Sequence, residues 1–155
     1  VREDGLVIAV SRNDSYRRSI YLRQRRKEMP TFLETFDLPQ MNPACQARAT
    51  SNVAQQALYL MNNTMVRSLA DSFARRVSEQ TTDPAERIQQ IYLSALGRRP
   101  SSDELESGQA TLLELENAWR EELQEQEHSL GKAGEKALAT YCHTIFNTAE
   151  FLYVD

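Results

Sequence analysis

The chain is poor in the residues from which metal and haem sites are built. It has two histidines, His128 and His143, and two cysteines, Cys45 and Cys142, all far apart in sequence. No Cys or His pair therefore has the spacing of a zinc site, and no Cys-x-x-Cys-His run offers covalent haem attachment. Neither a metal nor a cofactor is expected of this chain. Long apolar runs are missing too: Leu6–Val10 is far too short to span a bilayer and lacks signal-peptide flanks. Nothing repeats at the periods of solenoid arrays. Two cysteines do not make a disulfide framework. In an oxidising compartment a Cys45–Cys142 bridge would tie the stretch before the first long helix to the last helix; a free buried thiol is the alternative.

What is present is ordinary in bulk and uneven in distribution. A length of 155 residues fits one domain, and 41% hydrophobic content is that of a soluble globular chain. Residues 1–50 hold nine Arg or Lys against six Asp or Glu, and the rest hold nine against sixteen, so +3 and −7 make up the formal charge of −4. Most of the basic excess is one cluster, Arg17, Arg18, Arg23, Arg25, Arg26 and Lys27, with Tyr16 and Tyr21 interleaved. Such a surface suits a phosphate backbone or an anionic polysaccharide. The acidic remainder and the lack of any nucleic-acid-binding fingerprint argue against nucleic acid, and a solvated strand edge or a face toward an upstream part is the plainer reading.

The chain divides near residue 50. Residues 1–50 read as an extended, basic, partly β segment that continues from an upstream part, since the sequence starts on Val1 and looks processed or excised. Leu6–Val10 is a short strand, with Ser19–Arg23 or an upstream segment as its partner. Pro30, Pro39 and Pro43 forbid a long element between Lys27 and Ala49, although Thr31–Phe36 can form a helical turn that buries Phe32, Leu33 and Phe36.

Residues 51–155 read as about five helices around one core. Ser51 or Asn52 caps a helix over 53–62 with Val53, Ala57, Leu58 and Met61 as its apolar stripe. Asn62–Thr64 break it, and Met65, Val66, Leu69, Ala70, Phe73 and Val77 stripe a second helix to about Gln80. Asp83 and Pro84 start a third, striped by Ile88, Ile91, Tyr92, Ala95 and Leu96; Gly97 is its left-handed stop, with Arg98 placed to neutralise its last carbonyls. Ser101 and Glu104 form a capping box for a fourth helix over about 103–127, carrying Leu105, Leu112, Leu115, Trp119 and Leu123, with a Glu116–Arg120 pair. A last helix follows Gly131–Gly134 with Leu138, Tyr141, Cys142, Ile145 and Phe146, and the closing FLYVD tucks against the body. The fold class is mainly α: a five-helix bundle-like domain with an extended, partly β N-terminal third packed on it.

Four blocks carry a resemblance: RRSIYLRQRR (Arg17–Arg26), FDLPQMNPACQARATSNVAQQALYLMNN (Phe36–Asn63), ALGRRPSSDEL (Ala95–Leu105) and TIFNTAEFLYVD (Thr144–Asp155). In this order they resemble the C-terminal planctomycete-type domain of unknown function. That domain closes large exported bacterial proteins, many of which carry a cytochrome-c-like domain. The resemblance implies a periplasmic or envelope location and a larger parent protein, and it supplies no reaction.

Within these blocks Arg48, Asn52, Gln56 and Asn62 are candidates for a polar groove, joined by Asp37 and Glu150. The alternative is that they bond to backbone groups of the proline-rich loop and hold it in place. Asp37 and Glu150 are also the carboxylates from which a glycosidase-like pair would be built; otherwise Glu150 is a surface charge or a partner for Arg48. Cys142 and His143 are adjacent, so on a helix they point about 100° apart and do not suit a nucleophilic dyad. No catalytic residue is assigned. The expected function is that of a non-catalytic accessory or interaction domain whose partners are upstream domains of the same protein or an envelope or polysaccharide component. One alternative is part of an active site for carbohydrate-related or redox chemistry, completed by upstream domains; another is nucleic-acid binding through residues 17–27.

Overall fold

The computed structural model describes residues 2–3, 6–7, 31–36, 53–124 and 132–152. Two compact units divide the chain, residues 1–58 and 59–155. In the first, β1 (Arg2–Glu3) pairs antiparallel with β2 (Leu6–Val7) in the register Arg2↔Val7 and Glu3↔Leu6. The partner of the Leu6 strand is thus the segment just before it; Ser19–Arg23 lies outside the described residues. The dipeptide between the strands in sequence is Asp4-Gly5, a short-range hairpin signal. The expected helical turn is α1 (Thr31–Thr35), where the Phe32 and Phe36 rings lie 4.9 Å apart and Phe32, Leu33 and Phe36 are half-buried.

The next helix, α2 (Val53–Asn62), begins in the first unit and ends in the second. Its expected apolar stripe is a correction. Leu58 and Met61 are 58% and 52% exposed, whereas Gln56 and Leu60 are buried at 4% and 5%. Gln56 and Leu60 are four residues apart and share a face, and the amide can be buried because Gln56 Nε2 donates to Thr35 O at 3.2 Å within the first unit. Of the expected stripe, Leu58 and Met61 therefore face outward, Ala57 is half-buried, and the side chain of Val53 lies outside the described residues.

In the second unit the local signals are obeyed closely. Asn63 Oδ1 accepts from Met65 N at 2.8 Å and Val66 N at 3.3 Å, and so caps α3 (Thr64–Gln80). Asp83 Oδ2 accepts from Glu86 N at 2.9 Å at the start of α4 (Pro84–Ala95), with Pro84 in the first turn. Gly97 ends that helix at φ +71°, a backbone shape that a side chain would strain. Both arms of the Ser101–Glu104 capping box are made at α5 (Ser102–Gln124): Glu104 N to Ser101 Oγ at 3.2 Å and Ser101 N to Glu104 Oε2 at 2.7 Å. The Glu116–Arg120 pair forms along the same helix. The chain continues through α6 (Ala133–Phe146) to one further turn, α7 (Ala149–Leu152). Among the described residues the protein is mainly α, as its periodicity implies.

The core lies where α6 packs against both α3 and α5, with α4 closing one side. Ile88, Ile91, Leu138, Val77 and Cys142 are completely enclosed. At about 1.5–3 kcal/mol for each large apolar side chain, such burial rather than surface charge holds the helices together. The middle helix is rich in alanine: Ala133, Ala137 and Ala139 are buried beside Leu138, Tyr141, Cys142 and Ile145. Small side chains there let two neighbours approach one helix closely. Trp119 joins α5 to α6 by donating from Nε1 to Thr140 Oγ1 at 3.0 Å.

Candidate functional site

The densest polar arrangement among the described residues is built on Arg98, in the corner between α4 and α5. Its guanidinium has five N–H groups, and each has an acceptor. One edge grips Glu150, from Nε to Oε1 at 2.6 Å and from Nη2 to Oε2 at 2.8 Å. The other grips Glu104, from Nη1 to Oε2 and Nη2 to Oε1, both at 2.7 Å, and Nη1 also donates to Arg99 O at 3.2 Å. The Tyr92 ring lies beneath, 5.4 Å from the guanidinium carbon. Hydrogen bonds from Arg98, then the Ser101 backbone N–H, hold the Glu104 carboxyl down at about 2. Arg98 likewise lowers Glu150, and the two carboxylates fix the positive charge on Arg98. The arrangement is an ion-pair clamp with no donor left over for an incoming ligand.

This clamp corrects one expectation. Arg98 does not neutralise the last carbonyls of α4, because a bidentate carboxylate outcompetes a carbonyl for a guanidinium edge. Among the described residues Glu150 is an exposed charge paired with Arg98, which brings ALGRRPSSDEL and TIFNTAEFL together across 52 positions of sequence; Arg48, its other expected partner, lies outside the described residues. Sequence reasoning missed that pairing because many Arg–Glu pairs are open to a long chain and none is marked by spacing.

The remaining candidates fall elsewhere. Gln56 is engaged with Thr35 O, and Asn62 is exposed on the last turn of α2. Asp37, Arg48, Asn52, Cys45, His128 and the basic cluster Arg17, Arg18, Arg23, Arg25, Arg26 and Lys27 lie outside the described residues. Cys142 carries a free thiol that is fully buried, and burial pushes it up to about 12, far from a reactive thiolate. Its neighbour His143 points to another partner, Nε2 lying 3.0 Å from Leu60 O near the end of α2. A carbonyl only accepts, so this ring nitrogen carries the proton and serves one of the orphan carbonyls of the helix end. The pair is thus divided between core packing and capping.

Two other features went unread in the sequence. The Tyr141 hydroxyl sits beside α5 at Gly108, where an added Cβ would fall 2.6 Å from it. Burial first, and Tyr92 next, push the Tyr141 phenol above its ordinary range. An open groove between α3 and α6, of about 540 Å³, is lined by both signs of charge, among them Asp71, Arg75, Glu79, Lys132, Glu135 and Lys136. Among the described residues no three His, Cys, Asp or Glu side chains converge as a metal site would require, and no helix is long and apolar enough to cross a membrane.

No curated protein matches the chain, and no solved structure matches it. A family model does match, over residues 6–112, more than half of the sequence. On that match the chain belongs to the PSD1 family, described as a protein of unknown function (DUF1553).

Proposed function

We propose that this chain is a non-catalytic accessory or interaction domain of an exported bacterial multidomain protein. The finer likeness to planctomycete-type domains, and to proteins that carry a cytochrome-c-like domain, belongs to the same proposal. So does a periplasmic or envelope location, with the upstream domains of the same protein or an envelope or polysaccharide component as partners. The observation that carries it is that four polar residues of the family-like blocks, Gln56, Arg98, Glu104 and Glu150, are engaged internally. Gln56 is bonded to Thr35 O, and Arg98, Glu104 and Glu150 saturate one another. Side chains whose donors are already matched hold a scaffold, and reactive groups need an unfilled position at the reacting atom.

The test is to incubate the purified chain with nitrophenyl glycosides and redox dyes, and in parallel to titrate it into the remainder of the parent protein by calorimetry. The expected result is no turnover together with saturable binding. Turnover of any of these substrates that one point substitution abolishes would overturn the proposal.

A further inference from the structure

We propose that α7 is a detachable strap latched by Arg98, whose opening uncovers the Phe146 face of the core. The case starts from how little else holds this helix. It is one turn long and has no buried residue, and an isolated turn is unstable because nucleation fixes several residues for one hydrogen bond. Its own bonds are long: Phe151 N to Thr148 Oγ1 and Leu152 N to Thr148 O, each 3.3 Å. Two tertiary anchors remain among the described contacts. One is the Glu150 carboxylate on Arg98. The other is the Phe151 ring, 4.9 Å from Phe146, which in turn stacks on Phe73 at 5.8 Å.

The receiving half of the latch is preformed. Glu104 is fixed by its own capping box at Ser101 and holds one edge of the guanidinium, leaving the Nε–Nη2 edge oriented toward Glu150. The strap therefore docks on a site that does not reorganise when the strap leaves. The anchor is also weak by design of its surroundings. The side chains of Arg98 and Glu150 are 40% and 46% exposed, so water and salt compete for both. Phe151 is 38% exposed and covers a half-buried Phe146. Opening breaks one exposed ion pair and one ring contact, uncovers the half-buried Leu152, and leaves an aromatic face above Phe73. The core between α3, α5 and α6 is untouched.

Amide hydrogen exchange on the full chain, followed residue by residue, tests this. Glu150→Gln and Arg98→Lys are each expected to speed exchange at Phe151 and Leu152 by about two- to fivefold, the range of an exposed pair. Exchange at Leu138 and Ile145 in α6 should stay unchanged. In the unsubstituted chain, raising salt to about 0.5 M should produce the same acceleration at the same two amides, since it screens exposed charges. That arm reports even if a variant folds poorly. Unchanged exchange at Phe151 and Leu152 under both substitution and salt overturns the latch. Equal acceleration throughout α6 also overturns it, because the ion pair would then belong to the global fold.

Discussion

Replacing Gly108 with alanine sets two well-understood effects against each other at a position where the structure decides the sign. In the middle of a helix the exchange lowers the backbone entropy lost on folding and is worth about 0.5–1 kcal/mol in favour of alanine. Against this, the new Cβ would stand 2.6 Å from the Tyr141 hydroxyl, 3.2 Å from Ile88 Cδ1 and 3.3 Å from Ile88 Cγ2. The isoleucine methyl at Cδ1 can turn aside. The phenol cannot: it ends a rigid ring on α6 that is only 5% exposed, so the helices must part or the ring must tilt. Overpacking of this kind costs about 1–3 kcal/mol. Gly108→Ala should therefore destabilise by about 1–2 kcal/mol, lowering the melting temperature by roughly 2–6 °C for a chain this long. The decisive measurement is a double-mutant cycle with Tyr141→Phe, read by urea unfolding through the fluorescence of Trp119, the only tryptophan. Removing the hydroxyl removes the clash, so alanine should be tolerated better in the phenylalanine background by about 1 kcal/mol or more. A stabilised single variant, or additivity within about 0.5 kcal/mol, would refute the reasoning.

Two further outcomes follow from the titrating groups. With Cys45 replaced by serine, Cys142 should resist thiol-specific reagents at pH 8 and react only as fast as the protein unfolds, since burial holds the thiol at about 12; rapid stoichiometric labelling of the native protein would contradict its placement. Arg98 depresses the Glu104 carboxylate, so the stability that this half of the clamp supplies is fully present above pH 4.5 and is lost as the pH falls toward about 2, where Glu104 takes up its proton. Thermal unfolding from pH 7 to 2 should show the Arg98→Gln variant losing less stability across that window than the unsubstituted chain. Parallel curves for the two proteins would mean that the clamp has no part in the acid transition.

How much of this was legible depended on the range of the forces involved. Asn63, Asp83 with Pro84, Gly97, and Ser101 with Glu104 each act within four or five residues, and every one of these helix ends is where its local chemistry puts it. The apolar faces of α3, α4 and α5 were readable, apart from the exposed Leu69 of α3, because one side of each is buried and the other wet. In α2 the rule failed, since a buried glutamine with a backbone partner outcompeted two leucine-sized side chains for the inward face. The Arg98–Glu150 contact was illegible for a different reason. Pairing at a distance of 52 positions is decided by how α4, α5 and α6 stack, and an exposed ion pair is too weak an interaction to have dictated that stacking. The same logic explains Cys142 and His143, adjacent in sequence yet separated by the helical turn into core and cap.

The position of α6 carries a consequence for where the fold can be cut. The family match ends at Leu112, in the middle of α5, while α6 begins at Ala133 and supplies the middle of the core. Ending the chain at 131 would remove Leu138, Tyr141, Cys142 and Ile145 together, and would expose Ile88, Ile91 and Val77, which they now help to enclose. Large apolar side chains contribute about 1.5–3 kcal/mol each, so this loss alone approaches the roughly 5–15 kcal/mol by which whole domains are stable. Such a chain should lack a cooperative transition in urea and give the amide exchange of an unfolded protein. Replacing Glu150 and Phe151 with alanine, in a helix that buries no residue, should instead keep a cooperative transition in urea and move its midpoint little. If the chain ending at 131 still unfolded cooperatively, α3, α4 and α5 would have to make a core among themselves, and α6 would be a covering helix rather than the one around which the others are stacked.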